Sequence, residues 1–249
     1  MIMKLFYKRV LFSISLCVLS LYACGQRLVT FPAADGLLVS ADLYETDEDS
    51  HRYLLLFHQA EYSRGEFQQI ATRLIKLGFN CLAVDLRYGN EINFINNETA
   101  MRARQGGFDV SMLAAKRDMV AAVQYVKTLQ DSVSVFLLGS SFSASLALII
   151  AKEIPDITAV MAFSPGEFFD AELSVEQTIK GLSVPIFVGC PRSEYFYVMQ
   201  LLSGVVSSNK VVFRPESSDG LHGAKTLWWE SATRDEFWLS LLFFLKDFK

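Results

Sequence analysis

Val133 to Ile154 reads VSVFLLGSSFSASLALIIAKEI, and this stretch decides the fold. An apolar, β-branched run stops at Gly139, and a second apolar run opens at Phe142 with helical character. Between them lies Gly139-Ser140-Ser141-Phe142-Ser143, which fits the pattern G-x-S-x-G except that Ser143 replaces the last glycine. A sharp strand-to-helix turn with small flanking residues lets the middle hydroxyl project above a sheet. The helix N-terminus then offers backbone N–H groups to a developing oxyanion. Ser141 is therefore the candidate nucleophile; alone, it would serve equally well as a helix cap.

Outward from this unit, strand-like and helix-like segments alternate with no long linker, repeat or biased tract. LVTFPAADGLLVSADLY places Asp35-Gly36 between two strand-like runs, as in a hairpin. YLLLFH (Tyr53 to His58) reads as a strand buried on both faces, and EFQQIATRLIKLG as a helix with Phe67, Ile70, Leu74 and Leu77 on one side. FNCLAVDLR is the next strand, followed by a long polar loop from Tyr88 to about Asp109. A helix from about Ser111 to Gln130 precedes the central unit. After it come the strand Ile157 to Ser164, a short helix near Val175 to Leu182, and the strand PIFVGC. A helix around Glu194 to Val206, the strand KVVFRP and a last helix from about Trp228 to Phe248 complete the chain. Such alternation predicts an α/β fold: one domain, a mostly parallel sheet, and helices on both faces. Chemistry in such sheets lies beyond the carboxyl ends of the strands.

A serine hydroxyl needs a base. The three histidines are His51, in the charged turn DEDSHR, His58, at a strand end, and His222, in the loop SSDGLHGAK. His222 follows the last strand and precedes the last helix, where the fold would deliver a base to Ser141. His58 suits a structural role on the oxyanion side. The long loop carries Arg87, Glu91, Asn97, Arg102 and Arg104 near the same edge, as a reader of a polar or anionic group or as solvated surface. The aromatic residues of the last segment, Trp228, Trp229, Phe237, Trp238, Phe243 and Phe244, read mostly as core.

The order of motifs resembles the α/β-hydrolase superfamily, in its dienelactone-hydrolase-like esterase and peptidase branch. The likeness rests on HQAEYSRGEF from His58, DLRYG from Asp85, NETA from Asn97, GSSFS from Gly139, FSPGEF from Phe163 and LHGA from Leu221. It covers nearly everything after the N-terminal signal. The resemblance implies an α/β-hydrolase fold, a Ser141–His222 pair, and an oxyanion hole from the backbone N–H groups of Ala60 and Phe142. It implies a small-molecule acyl substrate; no cofactor is expected, and four cysteines without a CxxC pair argue against a metal site. Its third triad member would be an aspartate just beyond PIFVGC, where this chain has Ser193 with Glu194 beside it. Glu194 is the favoured acid, because Glu is accepted in the order Ser, acid, His. Asp170 is a second candidate, a missing acid a third reading, and Asp219 reads as a turn residue. The departure leaves a competing function open: a catalytically weak or inactive protein of this fold that acts as a binding module. Only about 20 residues separate the strand at Ile157 from PIFVGC. That leaves no room for a large cap, which favours a small or exposed substrate.

At the N-terminus, Lys4, Lys8 and Arg9 precede an apolar run from Val10 to Tyr22, too short for the roughly 20 residues of a spanning helix. It ends in LYAC at Cys24, which resembles the lipobox of bacterial lipoproteins. The resemblance implies a signal peptide at 1–23, a mature domain at 24–249 and acyl chains on Cys24 that anchor it to a membrane. The bacterial cell envelope, on the periplasm-facing side of the outer membrane, is the expected location. Of the other cysteines, Cys17 falls in the signal, while Cys81 and Cys190 form no CxxC pair. The whole chain of 249 residues is 51% hydrophobic and 20% charged, with a net charge of −4, which fits a globular protein with a large core. No basic stripe points to nucleic acid.

Overall fold

A computed structural model describes residues 26–169 and 172–248. The expected signal and Cys24, and also Asp170, lie outside the described residues. The chain opens with a hairpin of β1 (Gln26–Pro32) and β2 (Leu38–Tyr44), turned at Asp35-Gly36 with Gly36 at φ 87°. There follow β3 (Arg52–Phe57), α1 (Gln68–Ile75), β4 (Asn80–Val84), a small hairpin of β5 (Glu91–Ile92) and β6 (Ile95–Asn96), and α2 (Glu98–Gln105). Then come α3 (Lys116–Val126), β7 (Ser134–Ser140), α4 (Phe142–Glu153), β8 (Ile157–Phe163) and α5 (Val175–Thr178). β9 (Ile186–Gly189), α6 (Tyr195–Leu201), β10 (Lys210–Phe213) and α7 (Arg234–Leu245) end the described chain.

Eight strands form one sheet in the order β1-β2-β4-β3-β7-β8-β9-β10. The pairs from β4 to β10 are parallel, while β2 runs antiparallel to β4. Strand side chains alternate between faces, so each strand feeds two cores. Leu55, Phe57 and Leu137 pack with Met119, Ala122, Leu146 and Ile150 of α3 and α4. Leu54, Leu56, Phe136 and Leu138 pack with Ile70, Leu74, Phe237 and Leu241 of α1 and α7. Both faces are covered, which is why YLLLF and VFLL are continuously apolar. In α4, residues 142–151 are all buried, because that helix lies against the sheet and its neighbours on all sides.

The chain starts the parallel sheet at β3, steps out to β4, then returns to the other side of β3 with β7. The carboxyl ends of strands flanking such a reversal, here β3 and β7, are the place where α/β sheets bind ligands. Register then fixes the neighbours: Phe57 lies beside Gly139, Ser140 beside Phe163, and Phe163 beside Gly189. The residues that follow each strand therefore meet at one edge.

Two expectations change. The loop from Tyr88 to Asp109 is folded, with the β5–β6 hairpin and α2 inside it. Asn97 caps α2, its Oδ1 accepting the Ala100 N–H at 2.8 Å, while its Nδ2 donates to the Leu86 carbonyl at 2.9 Å. The last helix begins at Arg234, because Trp228 is extended and its indole N–H reaches across to the Glu66 carbonyl at 2.8 Å. Cys81 and Cys190 are not bridged to each other. They are buried, with β3, β7 and β8 between their strands.

Candidate active site

Ser141 stands between β7 and α4 at φ 60° and ψ −123°, a conformation L residues rarely adopt and one that costs on the order of 1–3 kcal/mol. The turn can be this tight only because Gly139 has no side chain. A Cβ there would come within 2.5 Å of Ala144 Cα and nearer still to the Ser143 carbonyl. Ser143, the departure from G-x-S-x-G, is used rather than merely tolerated. Its hydroxyl accepts the Ser140 N–H at 2.9 Å and donates to the Phe57 carbonyl at 2.7 Å, lashing the elbow to the end of β3.

Three side chains from three loops converge here. His222 Nε2 is 2.8 Å from Ser141 Oγ, and His222 Nδ1 is 2.6 Å from Glu194 Oε1. With Glu194 ionised, Nδ1 carries the proton and donates it, which leaves Nε2 to accept from the serine hydroxyl. Ser141 is 5% exposed. The His222 and Glu194 side chains are 40% and 28% exposed, so the pair opens to solvent on one side. Asp219 faces elsewhere: its carboxylate accepts the Ser193 N–H at 2.8 Å and the Ser193 hydroxyl at 2.9 Å. Ser193, where the resemblance implies an aspartate, is thus held by the turn. The carboxylate that lies against His222 belongs to the next residue, Glu194, whose extra methylene lets it reach the ring.

The loop that carries His222 is pinned on both sides. Gly223 N–H donates to Ser164 Oγ at 3.0 Å and Ala224 N–H to Ser140 Oγ at 2.8 Å. Opposite, β3 delivers His58-Gln59-Ala60. His58 is fully buried; its Nδ1–H donates to the Gln59 carbonyl at 2.8 Å and its Nε2 accepts the Leu86 N–H at 2.9 Å. Burial pushes its pKa down to about 4, against a raising pull from the Gln59 carbonyl, so the ring is neutral at physiological pH. In a trans peptide the C=O and the next N–H point oppositely. Anchoring the Gln59 carbonyl therefore fixes the direction of the Ala60 N–H. Phe142 N–H sits at the first position of α4, where helix geometry gives it no partner within the helix.

A cavity of about 210 Å³ adjoins Glu194 and His222, walled by Pro165, Phe168 and Tyr197. A larger hollow of about 610 Å³ between α3 and Leu173 touches none of Ser141, His222 and Glu194. The arginines considered as substrate readers are engaged in the fold. Arg87 is wholly buried and paired with Asp118 at 2.8 Å and Asp35 at 2.6 Å. Arg102 pairs with Glu98 at 3.0 Å, and Arg104 donates to the Gly89 carbonyl at 3.0 Å.

Sequence reasoning passed over Glu66, Ser140 and Ser164, which lie just behind the three loops. Glu66 carried one signal: Ser63-x-x-Glu66 has the spacing of a helix capping box. The Ser63 hydroxyl does accept the Gly65 N–H at 3.1 Å, but the Glu66 carboxylate turns inward to the site instead.

Residues 43–199 match the model of the dienelactone hydrolase family. Solved structures share the fold. An esterase from Pyrococcus furiosus is 18% identical with a TM-score of 0.71, covering 89% of this chain and 92% of that one. A dienelactone hydrolase from Anabaena variabilis is 15% identical with a TM-score of 0.67, covering 89% and 97%. An esterase domain from Rhodothermus marinus is 13% identical with a TM-score of 0.61, covering 89% and 98%. At these identities the likeness speaks for the fold alone. No curated protein sequence matches the chain.

Proposed function

The chain belongs to the dienelactone hydrolase family, a family of hydrolases, and on that premise we propose that it is a serine hydrolase acting through an acyl-enzyme on Ser141. The observation that carries this reading is the unbroken relay Ser141–His222–Glu194, at 2.8 and 2.6 Å, built on a residue held at positive φ. His222 Nε2 takes the Ser141 proton as Oγ attacks the acyl carbon. Glu194 stabilises the imidazolium and keeps the ring in its useful tautomer. The N–H groups of Phe142 and Ala60 receive the oxyanion, each contributing roughly 2.7–4 kcal/mol by analogy with donors removed from comparable sites. His222 then protonates the leaving group. Water deacylates the enzyme by the same route.

The substrate class we propose is a small ester, with thioesters and amides as related acyl donors. The cavity of about 210 Å³ and the short, uncapped connection between β8 and β9 support a small acyl or leaving group. The non-catalytic binding module has no observation in its favour, since its motive was the departure at Ser193 and Glu194 lies against His222. Hydrolysis of p-nitrophenyl acetate and butyrate by wild type, with loss in Ser141→Ala, is the expected result. A folded wild type as inert as Ser141→Ala would sink the proposal.

We also propose that residues 1–23 are a signal, that Cys24 is acylated, and that residues 24–249 form the domain on the bacterial envelope. LYAC after a short apolar run supports this. Expressed whole, the chain should incorporate radiolabelled palmitate and lose the label in Cys24→Ser. An unlabelled wild type would refute the anchor.

A further inference from the structure

Glu66 is a carboxylate with no exposed surface that the acyl-transfer steps above do not use. Its two oxygens divide their work. Oε2 accepts the Gln59 N–H at 2.8 Å, and Oε1 accepts the Ser140 hydroxyl at 2.7 Å. Ser140 Oγ in turn accepts the Ala224 N–H at 2.8 Å. Because that N–H points at Oγ, the hydroxyl proton of Ser140 is left to face Glu66. With Glu66 ionised, every donor has an acceptor and the chain of bonds has one sense.

The three anchored residues are next to chemistry in three different loops. Gln59 precedes the oxyanion donor Ala60, Ser140 precedes the nucleophile, and Ala224 lies two residues beyond the base. The node is closely packed, since a Cβ on Gly223 would sit 2.6 Å from Ser140 Oγ. Resting on the serine-hydrolase reading, we propose that Glu66 and Ser140 act as one positioning unit. As a hydrogen-bond acceptor, the Glu66 carboxylate holds the oxyanion, nucleophile and base loops in catalytic register.

Protonation of Glu66 would reverse its bond to Ser140 and leave the Ser140 hydroxyl proton without an acceptor. Burial pushes Glu66 up to about 7, against the lowering pull of the Gln59 N–H and the Ser140 hydroxyl. The titratable and charged groups facing it are His222 and Lys225 from the base loop and Tyr62 from the segment after β3. The unit is therefore intact at alkaline pH and loosens as pH falls through neutrality.

The test compares wild type, Glu66→Gln, Ser140→Ala and the double variant, using p-nitrophenyl acetate from pH 5 to 9 and fluorophosphonate labelling of Ser141. Gln keeps the shape of Glu66 but donates to Ser140 and cannot titrate. Each single variant should keep KM within about twofold and lose kcat on the order of 10²-fold, the scale of a misplacement near 1 Å. The double variant should lose little more than either single one, because the two groups act together. The acid limb should lose one ionisation in Glu66→Gln. Wild-type kcat and labelling rate in the folded variants would overturn this inference alone. Should Glu66→Gln fail to fold, Ser140→Ala carries the same test with the same two outcomes. A wild type that does not label would remove the nucleophile reading and this inference with it.

Discussion

Glu194 reaches His222 from one residue beyond the expected place, and in the proposed mechanism it orients the ring. Glu194→Gln should leave KM nearly unchanged and lower kcat by about 10³–10⁴-fold in ester hydrolysis, the scale of a triad whose orienting acid is disabled. A loss under tenfold would mean that Glu194 does not orient the base. His58 makes a different kind of statement. Its pKa is about 4 when folded and near 6.5 when unfolded, so between those values the unfolded chain takes a proton that the folded chain refuses. Its stabilising contribution is full above pH 6.5 and falls by up to about 3 kcal/mol on acidification through pH 4. Glu66 and Asp85 work in the opposite sense, since burial lifts them to about 7 and 6, so the folded chain gains protons first as pH falls. The His58 effect must therefore be read as a difference. Urea midpoints of wild type and His58→Asn should lie far apart at pH 7 and converge by pH 4.5, whereas a constant gap would contradict the assignment. The meeting of Ser141 and His222 was legible in the sequence because glycine, small residues and loop position betray it. Glu66 and Ser164 were not, because Ser140 and Gly223, which they meet, lie 74 and 59 residues away along the chain.

At the scale of elements, the elbow is held by more than its glycine. Ser143→Ala would leave the Ser140 N–H and the Phe57 carbonyl without their partner in a buried site, at a cost of about 1–3 kcal/mol. The urea midpoint should fall accordingly, and kcat with it; an unchanged midpoint would show that the hydroxyl is idle. Long apolar runs such as YLLLFH and VSVFLLG announced their strands because a strand buried on both faces must be apolar throughout. The segment from Tyr88 to Asp109 concealed two short strands and α2. Its order comes from tertiary bonds, such as the donation of Asn97 Nδ2 to the Leu86 carbonyl, rather than from periodicity. The start of α7 was misread for a similar reason. Trp228 sits in an apolar, helix-compatible stretch, yet its indole is drawn to Glu66.

For the molecule as a whole, the reversal of strand order at β3 and β7 sets the site, and buried charges brace the parts around it. Arg87, just beyond β4, joins α3 through Asp118 and the β1–β2 turn through Asp35. Asp118→Ala removes the fully buried partner and leaves the guanidinium only the partly exposed Asp35, so stability should drop, by at most about 3–5 kcal/mol. Arg87→Met with Asp118→Leu should recover much of that loss in urea unfolding. A single variant as stable as wild type would show that the pair braces nothing. The architecture was readable from alternation alone, but the use of Arg87 was not, since nothing local distinguishes a substrate-reading arginine from a bracing one.

The central claim is that Ser141 becomes acylated. Intact-mass and peptide analysis of the chain after exposure to a fluorophosphonate tests it most directly. A single adduct is expected on the peptide carrying Ser141, absent in Ser141→Ala and much slowed in a His222→Ala variant. A folded wild-type chain that stays unmodified, or one modified at another serine, would contradict it.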